Sequence, residues 1–303
     1  MTWFNLALLA AILFAWVTII DKLMVDRNFT DPFMYSLFIR LYGLISATAF
    51  VLIAGGWQSL SAWAIGAAML AGALKIGSGA IYFFSLTRGD ASLISAVAQT
   101  RPLFALLWGV GLLGERLNPL AYLGVTIVVL GTILLSIERD HAARKALRLN
   151  RVVPLILLSN VFHSLAGLSL KVALREATPE NGYFWEIVGS ILVGGAILSF
   201  WSQGLARMKA MLVRVKARAF AGSAFNEIIA NIGGLVMAAA LSVGPLSGVM
   251  TLYATEPLFI SPFIWIATQL RPGLVAGESR GKTLIPRWTV ILLLIMGIYI
   301  LGG

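Results

Sequence analysis

The sequence predicts an all-α membrane protein, with ten transmembrane helices arranged as two inverted five-helix repeats. Three observations carry this. Of the 303 residues, 59% are hydrophobic and only 12% are charged, about half the charged share of a soluble chain. The mean hydropathy of +0.90 leaves too little polar surface for a fold in water. One hexamer, Gln99-Thr100-Arg101-Pro102-Leu103-Phe104, returns 155 residues later as Ala254-Thr255-Glu256-Pro257-Leu258-Phe259.

The elements follow in order. Ten apolar segments span roughly 3–22, 32–54, 63–86, 91–113, 118–137, 152–174, 183–203, 219–242, 247–269 and 286–302. Most approach the roughly twenty residues that cross a hydrocarbon core of ~30 Å as a helix. In lipid every backbone polar group must be paired internally, which excludes open strands. A β-barrel would need short alternating segments instead. Breaks at Thr30-Asp31-Pro32, Gly55-Gly56, Asn118-Pro119 and Thr178-Pro179-Glu180 carry turn chemistry. The first segment lacks the basic start and small-residue cleavage site of a secretory signal, and reads as a retained helix. Arg207 to Arg218 reads as a solvated loop, although it is amphipathic enough to lie on a membrane surface.

The basic stretch 138–151 separates a first five-helix repeat, 1–137, from a second, 152–303. At the 155-residue offset Leu86, Gly89, Ser92, Thr100, Pro102, Leu103 and Phe104 meet identical partners. These are Leu241, Gly244, Ser247, Thr255, Pro257, Leu258 and Phe259. Five is odd, so the second copy enters the membrane from the opposite side. Inverted repeats characterise secondary transporters, whose sites lie near midplane between the repeats. Seventeen of the 23 Lys and Arg residues fall in the loops after odd-numbered segments. That imbalance places those loops in the cytoplasm and both termini outside.

Several function classes are excluded or disfavoured. With no cysteine, disulfides and thiolate chemistry are absent, and two histidines leave little for a metal site. No phosphate-binding loop, hydrolase triad or metalloprotease motif is present, so neither an enzyme nor a cofactor is expected. The net charge of +10 reflects loop arginine and lysine that orient the chain, not a nucleic-acid surface.

The charges inside the apolar segments hold the chemistry. Arg40, Lys75 and Arg101 lie in the first half, and Glu186, Glu227 and Glu256 in the second. Each costs roughly 2.5–3.5 kcal/mol on insertion scales, too much for six in lipid. They therefore face a hydrated cavity or one another. Helical spacing puts Lys75 on a face with Tyr82, Arg101 with Trp108, and Glu227 with Asn231, beside Asn226. His163 lies on a polar stripe, Tyr253 shares a face with Glu256, and Gln99 precedes Arg101. One reading is ion pairs that lock the halves together. The other is a site with a cationic and an anionic lobe, suited to a zwitterion. Glu227 and Glu256 are candidates to carry a coupling proton, since removal from water favours a neutral carboxyl. Pro102 and Pro257 are expected to kink their helices, free a backbone carbonyl and act as joints for gating.

These residues resemble the drug/metabolite transporter superfamily, in particular its EamA-type ten-helix branch. The resemblance rests on Leu86, Gly89-Asp90-Ala91-Ser92, Pro102-Leu103-Phe104, Gly114-Glu115-Arg116-Leu117, Gly124, Gly131 and Glu256-Pro257. It implies an inner (plasma) membrane carrier of small metabolites, amino acids among them. It also implies cytoplasmic termini, against the charge count. The second half has no matching Gly-Glu-Arg-Leu turn; Gly277-Glu278-Ser279-Arg280 comes about eight residues late. The expected function is transport, with export preferred, of an amino acid or related amphoteric metabolite by alternating access. The alternatives are a sugar-phosphate or nucleotide-sugar exchanger and a non-transporting membrane scaffold. The expected partners are a small-molecule substrate and the lipid bilayer, with monomer and homodimer both open.

Overall fold

The computed structural model describes residues 2–29, 31–86, 88, 94, 97–138, 152–270 and 287–302. Helices dominate these residues. They are α1 (Trp3–Arg27), α2 (Pro32–Ile53), α3 (Ala62–Leu86), α4 (Arg101–Gly111), α5 (Pro119–Glu138) and α6 (Val152–Ala173). After them come α7 (Pro179–Phe200), α8 (Gly204–Arg214), α9 (Ala217–Val243), α10 (Leu246–Tyr253), α11 (Glu256–Leu270) and α12 (Arg287–Gly302). Six of them, α1, α2, α3, α6, α7 and α9, are long and apolar enough to cross a membrane. Large side chains such as Ile45, Ile53, Leu192 and Phe200 lie exposed on the outside. In water such a surface would aggregate; against acyl chains it is the stable arrangement.

The helix starts follow from local chemistry. Asp31 accepts from the Met34 amide at 3.2 Å and Pro32 opens α2. Thr178 and Pro179 do the same for α7, and Asn118 and Pro119 for α5. Each cap satisfies an otherwise orphaned N–H, and the proline stands where no helical donor is needed.

The helices pack chiefly between the two halves of the chain. α3 lies against α6 and α7, α1 against α9, α2 against α7, and α5 against α12. Small residues and serines permit the approach. Ser78 and Ser159 each donate a hydroxyl to the other's carbonyl at 2.9 Å, tying α3 to α6. Ser190 Oγ donates to the Gly72 carbonyl at 3.2 Å, tying α7 to α3. A methyl group at Gly72 would run into the backbone of Glu186 and Ser190, and one at Gly189 into the backbone of Met69. Backbone cannot yield as a side chain can, so G72A and G189A are each expected to destabilise by about 3 kcal/mol or more. Gly66, with nothing within 4 Å of its missing Cβ, is the control. Thermal melting in detergent should show G66A unchanged and the other two strongly lowered.

Two expectations need correction. The apolar run 247–269 is not one helix, because α10 stops at Tyr253 and α11 starts at Glu256. The Thr255 hydroxyl and amide both bond the Leu252 carbonyl, at 2.6 and 3.0 Å, and the Leu258 amide bonds the Thr255 carbonyl at 2.8 Å. These tight turns replace helical bonds ahead of Pro257, which then sits where its missing N–H costs nothing. Pro257 therefore starts a helix and does not kink one, and Pro102, the second residue of α4, likewise stands at a helix start. Secondly, the stretch expected as a solvated loop after the seventh segment contains α8. Met208, Met211 and Leu212 of α8 pack on the cluster around Phe29 and Met34, and this burial holds the helix. The basic stretch 138–151 (apart from Glu138), the Gly89-to-Ser92 motif and Gly277-to-Arg280 lie outside the described residues.

Candidate functional site

Two adjoining cavities enter the bundle between the halves. The outer one, of about 410 Å³, is bordered by Thr18 and Asp21 of α1, Tyr82 and Phe83 of α3, Gln99, Arg101, Tyr253, Glu256 and Pro257. The inner one, of about 250 Å³, is bordered by Arg40, Lys75, His163, Tyr183, Glu186 and Glu227. Thr18, Asp21 and Tyr253 belong to both walls. The outer cavity lies toward the end of the bundle at which α1 and α3 finish.

The turn before each proline aims the outer charges. In the first half the Thr100 hydroxyl and amide bond the Val97 carbonyl at 2.8 and 3.0 Å, and the Leu103 amide bonds Thr100 at 3.0 Å. This repeats the Leu252–Thr255–Leu258 pattern 155 residues on. Arg101 and Glu256 thus open α4 and α11 from equivalent turns. They form no ion pair with each other within 4 Å. The Arg101 Nε–H donates to Asn160 Oδ1 at 3.2 Å, while Asn160 donates to the Val97 carbonyl and the Thr100 hydroxyl. Glu256 accepts from the Thr18 hydroxyl at 2.6 Å. Each charge is held by a neutral partner, and both reach one cavity.

In the inner cavity Lys75 and Glu186 form an ion pair. The second Glu186 oxygen and the Arg40 Nε–H are buried without a hydrogen-bond partner. Tyr183 donates to Asn231 Oδ1 at 2.7 Å, and Asn231 donates to the Glu227 carbonyl at 2.6 Å. His163 stacks parallel to Tyr253, with centroids 6.3 Å apart.

Ten of the thirteen candidate binding residues border these cavities: Arg40, Lys75, Tyr82, Gln99, Arg101, His163, Glu186, Glu227, Tyr253 and Glu256. Three stand behind the walls. Trp108 donates to Ser164 at 2.9 Å between α4 and α6. Asn226 donates to Asp21 at 2.8 Å, and Asn231 holds Tyr183. Pro257 is in the outer wall, and Pro102 is buried one residue beyond Arg101.

Asp21, Thr18, Tyr35 and Tyr183 escaped the candidate set. Asp21 looked like the end of the first segment, whereas α1 continues to Arg27. It accepts from the Tyr35 hydroxyl at 2.9 Å as well as from Asn226. An acid followed by Lys22 imitates a helix end. A useful signal was available in the acid's place one turn after Thr18, on the same face.

The far end of the bundle is closed by a different cluster. Glu115 accepts from the Leu246 amide at 2.6 Å, and from the amide and hydroxyl of Ser247 at 3.3 and 3.0 Å. Lys171 lies 3.8 Å from Glu115 and donates to the carbonyls of Leu241 and Gly244. A carboxylate from the first half thus caps α10 of the second, where helix polarity favours an anion.

Comparison with known proteins bears on this arrangement. Residues 1–137 match the family model described as the EamA-like transporter family. The match covers the first of the two proposed halves and is a similarity to that family. A solved structure titled only "Crystal structure of protein" superimposes with a TM-score of 0.71 at 16% sequence identity. The alignment covers 99% of this chain and 98% of that one. At that identity the likeness is one of fold. No curated protein matches the chain in sequence. The six apolar spans make this a multi-pass membrane protein, and the match over residues 1–137 is to a family described as transporters.

Proposed function

We propose that the chain is a secondary transporter that exports an amino acid or related amphoteric metabolite across the plasma (inner) membrane. The observation that carries this reading is that Arg101 and Glu256 border one cavity without pairing with each other. Arg101 offers a guanidinium at the start of α4, where helix polarity also attracts a carboxylate. Glu256 and Asp21 offer acceptors for an ammonium. In the inner cavity the unpartnered Arg40 Nε–H and Glu186 oxygen are costly unless a polar guest or water satisfies them.

A balance of charges distinguishes the alternatives. The walls hold Arg40, Lys75 and Arg101 against Asp21, Glu186, Glu227 and Glu256. Formally that excess of acid disfavours a sugar phosphate or nucleotide sugar and suits a substrate carrying an ammonium group. A non-transporting scaffold would have its charges paired and no cavity, which fits these walls poorly.

Alternating access between two inverted five-helix repeats is supported by the matched turns at Thr100 and Thr255. It is also supported by a packing pattern that exchanges under a swap of halves: α1 meets α9 as α6 meets α3. The outer cavity lies toward the end carrying most basic loops, cytoplasmic by the charge count, where an exporter loads. A proton on Glu227, Glu256 or Asp21 would couple transport to a gradient.

Thermal-shift measurements on the purified protein test the substrate class. Amino acids, sugar phosphates and nucleotide sugars are compared at concentrations up to ~100 times a millimolar Kd, at which a ligand stabilises by about 2.7 kcal/mol. Stabilisation confined to amino acids is expected. Stabilisation by sugar phosphates alone would overturn the reading, and so would no response to any of the three.

A further inference from the structure

We propose that the groove between α2, α3 and α8 binds an anionic phospholipid, with its acyl chain in the groove and its phosphate at Arg207 and Arg88. This groove, of about 690 Å³, differs from the two central cavities in its chemistry and shares only Phe83 with the outer one. Its walls are Pro32, Phe33, Ala80, Phe83, Phe84 and Trp201, an apolar channel suited to a hydrocarbon chain.

The rim decides which lipid. Arg207 places its guanidinium 5.0 Å from the Trp201 ring centroid, and Arg88 lies 3.9 Å from that of Phe84. Arg207 thus lines the groove itself, and Arg88, two residues past the end of α3, lies against Phe84 of its wall. Asp31 is the single acid among the lining residues, 3.8 Å from Arg207. The Arg207 side chain is still 51% exposed, so donors remain for a phosphate. Around it, residues 201–226 hold Arg207, Lys209, Arg214, Lys216 and Arg218 and no acid.

The position of α8 fits this occupant. It joins the ends of two spans, α7 and α9, on one side of the bundle. Met208, Met211 and Leu212 face the protein while Leu205 and Val213 are exposed. A short helix with apolar flanks and a basic face rests in the headgroup layer. Basic residues there are drawn to anionic lipid. Phe83 borders both this groove and the outer cavity, so one ring separates the lipid chain from the transport path.

Native mass spectrometry of the full-length protein tests the proposal, using phosphatidylglycerol and phosphatidylcholine with identical chains. The wild type is expected to retain phosphatidylglycerol roughly tenfold better, from two cations at the rim. The double variant R88Q/R207Q should lose that preference, whereas R88K/R207K should keep it. A80F, which fills the channel and leaves the rim charges, should reduce retention of both lipids. Circular dichroism identifies any variant that fails to fold, and the lysine pair and A80F then carry the test. Equal retention of the two lipids by the wild type would overturn the proposal. So would a preference that survives R88Q/R207Q, or undiminished lipid retention by A80F.

Discussion

Exchanging the charges of Arg101 and Glu256 will not restore what either single change removes. R101Q and E256Q should each weaken ligand-induced stabilisation and uptake into proteoliposomes by on the order of a hundredfold, as expected when one partner of a buried charged contact is deleted. R101E/E256R should be no better than the single changes. The two residues open α4 and α11 from equivalent turns, but their hydrogen bonds go to different neighbours. Arg101 is aimed by Asn160, itself held by Val97 and Thr100. Glu256 is held by Thr18. A glutamate at 101 would meet the Asn160 carbonyl oxygen where the guanidinium donated, an acceptor against an acceptor. An arginine at 256 would face the Thr18 hydroxyl beside Asp21. A double swap repairs a direct bridge and cannot repair two separately oriented charges. Full recovery in the double variant would show that the pair is a bridge, contrary to the site proposed above. N160L offers an independent check: it leaves both charges in place but frees Arg101, and should lower ligand affinity without loss of the folded state.

Replacing Glu115 will open the end of the bundle that is now closed. E115A removes a carboxylate that takes three hydrogen bonds from α10 and stands beside Lys171. Capping and charge-assisted bonds of this kind amount to roughly 2–4 kcal/mol together. Lys171 would keep its bonds to the Leu241 and Gly244 carbonyls but lose its nearby anion. If the halves rock about the central cavities, that energy biases the equilibrium between the two open forms. A loss of about 3 kcal/mol is a factor of more than 100 in such an equilibrium. The chain has no cysteine, so a single one at Val249, buried in α10, reports cleanly. Labelling of V249C by a membrane-impermeant maleimide should be at least tenfold faster with E115A present. E115Q, which keeps an acceptor oxygen, should lie between. An unchanged labelling rate with a lowered melting temperature would make the cluster a static support, and the gating role would fail.

The sequence by itself was enough for the membrane class, six of the apolar spans and the repeated hexamer, because those are consequences of composition, of bilayer thickness and of short-range order. The helix start at Asp31-Pro32 was legible for the same reason: a cap and a proline act within four residues. It also showed that the intramembrane charges needed a cavity or partners, since lipid tolerates neither sign. Which of them pair is a long-range question. Lys75 found Glu186 across 111 positions and Arg101 found Asn160 across 59, and no local pattern encodes such distances. Asp21 was hidden because an acid beside a lysine imitates a helix end, and only the packing of α1 on α9 through Asn226 shows that the helix continues past it. The turn at Ala254-Thr255 needed the tertiary structure too. In sequence a proline among apolar residues reads as a kink. Only the folded chain shows the preceding threonine closing its own turn, so that the helix stops and restarts with Glu256 facing the cavity.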